Sequence, residues 1–273
     1  MLINQFSDLQ FCLQLITVIV SIGSVISSLE DLSILRNFKN DGILSWEVSS
    51  LNYPWMSRGR IAPILDYLLD YKRFKYLIVL KLLSSASLIG LVFFIDGWII
   101  SVLLSFATIT TLSFNVRNPF GIDGSHQMTL IIYTMLFLSS ISADGSIAQI
   151  ACIWFIAIQS CLSYFVAGVY KLISPVWRNG IALVGILSTE MYGNKMVYNL
   201  MAKNLRLSKF FCWVVIIFEC AYPLALINID FAFVFVLIGI LFHLNTSIVM
   251  TLNIFFWAFL ASYPAIIYCA NSW

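Results

Sequence analysis

The stretch that decides the fold is residues 149–171, QIACIWFIAIQSCLSYFVAGVYK. About twenty residues without a charge are enough for a helix to cross the hydrocarbon core of a bilayer. The run ends on Lys171. A charge at membrane depth costs about 2.5–3.5 kcal/mol on insertion scales, so an ionisable residue here is a candidate for function.

The composition of the whole chain indicates the same class of protein as this stretch does. Hydrophobic residues make up 61% and charged residues 10% of the 273 residues, whereas soluble domains have about 45–50% and 25%. A soluble chain could not bury that much apolar surface. The sequence therefore predicts an all-α, polytopic membrane protein with one membrane domain over residues 1–273. We expect membrane lipid to surround the protein, and no nucleic-acid partner is predicted.

Apolar runs of spanning length predict seven or eight transmembrane helices packed as a compact bundle. The runs are Phe11–Ser28, Tyr76–Ile95, Trp98–Phe114, Met128–Ile141, Gln149–Ile173, Phe210–Ile227, Phe231–Met250 and Leu252–Tyr268. The count stays open because Pro264 interrupts the last run, which is either a separate span or the end of a bent one.

Two longer polar segments, residues 29–75 and 174–209, separate the runs. Within the first, Ile61–Tyr71 predicts an amphipathic helix that lies along the membrane surface. The loops after the first, third and fifth predicted spans hold every Lys and Arg except Lys81 and Lys171. By the positive-inside rule these loops are cytoplasmic and both termini lie outside.

One face of the fifth predicted span carries the residues of interest. Tyr164, Gly168 and Lys171 follow i, i+4, i+7 spacing, so they share a helix face. Gly168 would let another helix come close to that face. An enclosed Lys171 amine is suited to general-base chemistry. The alternative is a lysine that extends its ammonium to interfacial water.

Two further spans carry polar groups at membrane depth. His243 shares a face with Thr246 and Ser247, while Asn245 points elsewhere. The histidine is either an interhelical hydrogen-bonding group or a proton shuttle. Glu219 is a carboxylate inside a span, and its expected partner is Lys171 or Arg117.

The turn-rich connection at residues 115–127 concentrates polar side chains at the mouth of the predicted bundle. These side chains are Asn115, Arg117, Asn118, Asp123, His126 and Gln127. A ligand site and an ordinary solvated loop both remain open here. No metal is predicted, because the six cysteines form no CxxC pair and no other metal-ligand spacing occurs.

The segment Tyr164–Leu172, YFVAGVYKL, followed by Trp177 and Gly180, resembles the hallmark of vitamin K-dependent gamma-carboxylase and of the bacterial horizontally transferred transmembrane domain proteins. Further similar positions are Asn118-Pro119, Asp123-Gly124, Gln127, Asp144, Glu190–Gly193, Glu219, Phe242-His243 and Asn245. Within this superfamily the chain is most similar to the sporulation-delaying-protein B family, membrane proteins that help to mature a secreted peptide toxin.

The resemblance implies roles for these positions. Lys171 and His243 would be the catalytic residues, with Lys171 as the base. The implied cofactor is a quinol of the vitamin K kind, held by a set consisting of Tyr164, Gly168, Trp177, Asn118 and His126. Supporting positions would be Arg117, Asp123, Gln127, Glu219 and Asn245.

The chain also departs from the family. Tyr170 stands where the carboxylase has a second lysine beside the one that matches Lys171, so peptide carboxylation does not transfer directly. The resemblance also implies that the basic loops lie outside, against the charge rule, and the orientation stays open. The membrane it implies is the bacterial plasma membrane.

Three functions follow as hypotheses. The first is a maturation factor for a small secreted peptide, acting as a lysine-based, quinol-dependent enzyme. The second is a non-catalytic scaffold, export or immunity partner of a peptide toxin, with a small accessory protein as a further partner. The third is a small-molecule transporter, for which the sequence offers little because it contains no visible inverted repeat.

Overall fold

The computed structural model describes residues 6–42, 44–52, 59–95, 97–117, 124–190 and 192–272. Within these ranges every regular element is a helix, and seven helices are long and apolar enough to cross a membrane. The predicted all-α, polytopic fold is confirmed, and the chain is a multi-pass integral membrane protein. The prediction of a single domain stays a prediction, because the chain divides into two compact units that are described separately.

The N-terminal unit is Leu13–Cys152. Its helices are α1 (Leu9–Ser33, which begins in the other unit), α2 (Trp46–Ser49), α3 (Ala62–Leu69), α4 (Tyr71–Leu91), α5 (Trp98–Arg117) and α6 (Gly124–Ser140). Helix α6 has 17 residues and covers most of the run Met128–Ile141, but it is not one of the seven helices that are long and apolar enough to span.

The C-terminal unit is Met1–Cys12 with Ile153–Trp273. Its helices are α7 (Ile147–Ile173, which begins in the N-terminal unit), α8 (Pro175–Arg178), α9 (Ile181–Leu187), α10 (Lys195–Lys203), α11 (Leu205–Ala221), α12 (Ile229–Met250) and α13 (Asn253–Ala270). A 3-10 turn, Tyr222–Leu226, extends α11.

Two spanning helices start earlier than the sequence predicts. Helix α4 begins at Tyr71 rather than Tyr76 because the Asp70 side chain accepts a hydrogen bond from the Lys72 backbone N–H at 3.0 Å. Helix α11 begins at Leu205 because Asn204 caps it in the same way. Basic first turns resemble loops in a sequence, although a cap makes them helical.

The polar connections are also more helical than predicted. Residues 174–209 contain three short helices, α8 to α10, before α11 begins. Helix α6 starts at Gly124 rather than Met128, and the Asn115 side chain donates a hydrogen bond to the His126 carbonyl at 3.3 Å. The amphipathic helix predicted for Ile61–Tyr71 is confined to α3, where Ile64 and Tyr67 are exposed apolar residues.

In the N-terminal unit, an aromatic core packs the chain between α1 and α4 against the spanning helices. It consists of Phe38, Trp46, Leu69, Phe74, Ile78 and Phe114. The Trp46 indole N–H donates a hydrogen bond to Asp66 at 2.7 Å, which ties α2 to α3. Arg117 lies beside this core rather than in an open loop.

The last apolar run forms a helix of its own. Pro264 lies inside α13, which continues to Ala270 and is the most buried of the seven spanning helices. Thr251 separates α12 from α13 with φ of 57°. A β-branched residue in this left-handed region is a conformational outlier, so the turn between the two helices is strained.

Replacing Thr251 by glycine should stabilise the protein. Left-handed backbone costs an L-residue roughly 1–2 kcal/mol, and about half of that gain is offset by the greater entropy of an unfolded glycine. Thr251→Ala keeps the Cβ atom and should gain less than the glycine variant. The midpoint of thermal unfolding in detergent, followed by labelling of the buried thiols of Cys161 and Cys212, measures both changes; equal midpoints for the two variants would contradict the strain.

Candidate functional site

The C-terminal unit contains an ion pair between two spanning helices. Lys171, in the last turn of α7, donates hydrogen bonds from Nζ to both carboxylate oxygens of Glu219, at 2.8 Å to Oε1 and 2.6 Å to Oε2. The Glu219 side chain is only 5% exposed, and that of Lys171 is 20% exposed. Of the two partners that the sequence offers for Glu219, the structure shows Lys171.

The ion pair forms where α7 and α11 are in close backbone contact. A Cβ atom added to Gly168 would lie 2.6 Å from the Cys220 backbone nitrogen and 2.9 Å from the Glu219 carbonyl carbon. Only a glycine fits at that distance, as its predicted role in helix packing requires. Gly168 therefore brings the Glu219 backbone close to α7, where its side chain reaches Lys171.

The segment after α7 encloses the lysine from a third side. Lys171 Nζ lies 5.1 Å from the centre of the Trp177 ring, within the range of a cation–π contact. Gly180 follows with φ of 80°. Its carbonyl accepts a hydrogen bond from Ser208 at 2.6 Å, which fixes the chain against the start of α11. Trp177 is thereby held beside Lys171.

A second polar cluster occupies the next turns of the same helix face. Tyr164 Oη lies 2.7 Å from His243 Nε2 and 2.8 Å from Tyr263 Oη, so one phenol joins α7, α12 and α13. The Tyr164 ring stacks on Tyr222 with ring centres 3.8 Å apart. The phenol of Tyr164 is the centre of this cluster.

Glycine also makes room for these hydroxyl groups. A Cβ atom at Gly239 would lie 2.5 Å from Tyr263 Oη. His243 stacks on Phe259 at 4.6 Å and is 4% exposed. Two buried polar atoms in this region have no hydrogen-bond partner, His243 Nδ1 and the hydroxyl of Tyr222. Their hydrogen-bonding capacity is available for chemistry or for a small polar ligand.

The predicted quinol positions Tyr164 and Gly168 are filled by protein atoms. The Tyr164 ring is buried among Tyr222, Phe218 and other aromatic rings, and the face of Gly168 is covered by the backbone of α11. The space around these two residues is therefore occupied, and a flat quinol ring does not fit beside them. The quinol remains a prediction from the resemblance, and no step below uses it.

The remaining predicted residues divide between several places. Arg117, His126 and Gln127 belong to the N-terminal unit, with Gln127 exposed and His126 half-buried in α6. Asn118 and Asp123 lie outside the described residues. Asn245 is exposed on α12, away from the buried face of His243.

Arg117, which is predicted as a supporting position, has structural contacts within the N-terminal unit. It is fully buried, and its Nη2 atom donates to the carbonyls of Phe38 at 2.7 Å and Leu44 at 3.4 Å. Its guanidinium lies 4.2 Å from the centre of the Phe74 ring. Arg117 therefore ties the segment after α1 to the aromatic core of its own unit.

Sequence reasoning missed Tyr222, Tyr263 and Gly239, which belong to the polar cluster around Tyr164. The available signal was Ser262-Tyr263 within an apolar run, where two polar side chains need partners in a membrane. Ser262 indeed lies 2.9 Å from the hydroxyl of Ser160. Pro264 follows Ser262 by two residues, and a proline at that position predicts a helix break rather than a buried polar pair.

No protein-family model, curated protein or solved structure matches this chain. Relatives therefore assign neither a family nor an activity to it. The basis for a functional proposal is therefore the two clusters on α7, together with the resemblance of the segment that carries them.

Gly168→Ala should destabilise the protein by about 1–3 kcal/mol, because the added methyl group meets rigid backbone and forces the helices apart. Gly185 on α9 is the matched control, since a Cβ atom there meets nothing within 4 Å, and alanine favours helix. Thermal unfolding in detergent compares the two. A Gly168→Ala protein as stable as Gly185→Ala would contradict the close contact of α7 with α11.

Lys171→Met should cost about 3–5 kcal/mol, because it leaves the buried Glu219 carboxylate without a countercharge. Adding Glu219→Gln should restore most of this loss, since the neutral pair leaves no buried charge. Lys195→Met, at an exposed position on α10, should change stability by less than about 0.5 kcal/mol. Unfolding by graded SDS measures the set, and strictly additive effects of the two site changes would rule out the coupling.

Proposed function

We propose that this chain is a membrane-embedded maturation factor for a small secreted peptide of the toxin type, in a bacterial plasma membrane. Its functional centre is the Lys171–Glu219 pair. The observation that carries the proposal is an ammonium hydrogen-bonded to both oxygens of a buried carboxylate, yet still 20% exposed itself. The resemblance of Tyr164–Leu172 to a peptide-modifying family gives the same residue.

The pair supports general-base chemistry. Transfer of one proton from the Lys171 ammonium to the Glu219 carboxylate yields a neutral amine and a neutral carboxylic acid. The amine then accepts a proton from the peptide, which restores the ammonium and leaves a peptide anion beside the neutral Glu219 acid. Return of the Glu219 proton to interfacial water or to the product regenerates the carboxylate. The acceptor for Lys171 is in place at 2.6 Å, so the first transfer needs no rearrangement.

The position of the lysine suits a peptide substrate. Lys171 lies in the last turn of α7, and the ends of spanning helices lie near the membrane–water interface. Tyr170 and Ile173 beside it expose apolar surface, and Trp177 covers the ammonium from the other side. An apolar secreted peptide can reach the amine from the interface without crossing the core of the unit.

In this proposal His243 does not contact the peptide and has a positioning role instead. Its Nε2 is hydrogen-bonded to Tyr164, and its Nδ1 is buried without a partner. The Tyr164–His243 pair therefore orients α7 against α12 rather than touching the peptide directly. His243 is a positioning residue for the face that carries Lys171.

A non-catalytic peptide partner is the second candidate, and one observation favours it. The ammonium of Lys171 is already satisfied by Glu219, and Gly168 holds the two helices together at the same level. A structural clamp has these features. In that case the chain binds or exports the peptide, and Lys171 takes part in no proton transfer.

The intact mass of any small secreted peptide whose gene neighbours that of this chain separates the two candidates. Co-expression with the wild-type chain should yield a mass change or a cleavage, and co-expression with Lys171→Met/Glu219→Gln should yield the unaltered peptide. The double variant is chosen because its neutral pair leaves no buried charge and should preserve the fold. Lys195→Met serves as the control and should behave as wild type.

Membrane levels of the chains are matched before the masses are compared. An identical peptide mass with wild type and with the neutral pair would end the catalytic proposal. Retention of the peptide by both chains in a detergent pull-down would then support the non-catalytic partner, and retention by neither would reject the maturation role as well.

A further inference from the structure

One end of the C-terminal unit carries a short helix that leads directly into a spanning helix. Helix α10 ends at Lys203 and α11 begins at Leu205, so Asn204 alone separates them. The Asn204 side chain accepts a hydrogen bond from the Leu207 backbone N–H at 3.1 Å, which starts α11. Because the ends of spanning helices lie near the membrane–water interface, α10 lies at that interface.

Helix α10 packs one face on the protein and leaves apolar side chains open on another. Met201 is buried where α10 packs on α9 and α11. Met196 and Leu200 lie four residues apart on one face and are 83% and 55% exposed. Leu205 and Phe210, at the start of α11, are exposed apolar residues as well. A helix with this pattern inserts its apolar face into the headgroup region of a bilayer.

Three basic side chains lie where α10 and α11 meet, and we call them the basic junction. Lys203 is the last residue of α10. Arg206 and Lys209 lie three residues apart in the first turns of α11, which makes them neighbours on the helix surface. All three residues are exposed, so their charges are open to a ligand from outside the protein.

No acidic residue compensates the basic junction within its own part of the chain. Residues 191–218 contain neither Asp nor Glu, and among the described residues no carboxylate forms an ion pair with any of the three cations. Glu190 and Glu219 flank this range, and Glu219 is already paired with Lys171. The basic junction therefore presents three positive charges to whatever lies on this surface.

The basic junction lies at the same end of the unit as Lys171. Ser208 donates a hydrogen bond to the Gly180 carbonyl at 2.6 Å, and a Cβ atom at Gly180 would lie 2.6 Å from Lys209 Cα. The segment that holds Trp177 beside Lys171 thus contacts the basic junction through Gly180. A ligand of the basic junction would be at the membrane surface from which Lys171 is reached.

A solvated polar face does not account for this arrangement. Cations in water need no apolar neighbours, whereas here the exposed side chains of Leu200, Leu205 and Phe210 alternate with the cations along the sequence. An anionic phospholipid offers both contacts, because its phosphate meets the cations and its acyl chains meet the apolar side chains. A soluble anion or an acidic peptide in water offers only the first contact.

We propose that the basic junction and the exposed apolar face of α10 bind anionic phospholipids of the surrounding membrane. The phosphates lie against Lys203, Arg206 and Lys209, and Met196 and Leu200 insert beside the acyl chains. Each Lys or Arg near an anionic surface strengthens the attraction about fivefold, and salt weakens it. This lipid site goes beyond the maturation role, because it holds whether or not Lys171 transfers a proton.

The test is hydrogen–deuterium exchange of α10 in the full-length chain, embedded in lipid nanodiscs. The discs contain phosphatidylcholine alone or phosphatidylcholine mixed with the anionic phosphatidylglycerol, and mass spectrometry follows the amides of residues 195–203. A helix that is held against lipid opens less often and exchanges more slowly. The wild-type chain should exchange at least about fivefold more slowly in the mixed discs, and high salt should remove the difference.

The triple variant Lys203→Gln/Arg206→Gln/Lys209→Gln should exchange at the same rate in both kinds of disc, because it has lost the cations of the basic junction. Thermal unfolding shows whether this variant is folded. If it is not, Lys203→Gln/Arg206→Gln replaces it, leaves Lys209 at its contact with Gly180, and should show a smaller difference between the discs than wild type.

Arg36→Gln/Lys39→Gln/Arg60→Gln is the matched control. It removes the same charge from exposed positions of the N-terminal unit and should keep the wild-type difference between the discs. Equal exchange of the wild-type chain in both discs, or a slowing that the folded triple variant retains in full, overturns the proposal.

Two additions to discs of phosphatidylcholine alone separate the lipid from other anions. Glycerol phosphate should leave the exchange of α10 unchanged, and a slowing as large as that in the mixed discs would assign the basic junction to a soluble phosphate instead. A poly-glutamate peptide should also have no effect. A slowing by the peptide without any slowing by phosphatidylglycerol would reject the lipid and make this surface a peptide site.

Discussion

The C-terminal unit depends on one charge pair, Lys171 with Glu219. A carboxylate that is 5% exposed inside a spanning helix is tolerable only beside a countercharge, and Gly168 allows α11 to approach closely enough to supply it. The same contact sets the position of the turn that follows α11. Tyr222 of that turn stacks on Tyr164, which holds His243 and Tyr263. The ion pair and the cluster around Tyr164 therefore share α7, α11 and the turn that follows α11.

The parts of this fold that follow from helix periodicity could be predicted from the sequence. Runs of apolar residues locate the spanning helices, and i, i+4, i+7 spacing places Tyr164, Gly168 and Lys171 on one face that the structure packs against α11. Helix starts could not be placed as well. Asp70 and Asn204 cap their helices ahead of basic first turns, and a basic turn resembles a loop until the cap is recognised.

Choices between distant partners could not be made from the sequence, because they depend on tertiary packing. Glu219 had two candidate cations, and Arg117 instead binds backbone carbonyls beside Phe74. The burial of Lys81 could not be predicted for a related reason. It lies close to the basic end of a predicted span, where a lysine usually reaches interfacial water, yet the packing of α1 and α5 against it makes it more enclosed than Lys171.

Exchange of the two charges tests the central pair most directly. Lys171→Glu and Glu219→Lys are made singly and together, and membrane abundance and thermal unfolding are measured for each. Each single variant should accumulate poorly, because it places two like charges in contact, and the double variant should recover because the pair is restored in reverse. Single variants as abundant and stable as wild type, or a double variant no better than the singles, would contradict an ion pair that holds α7 to α11.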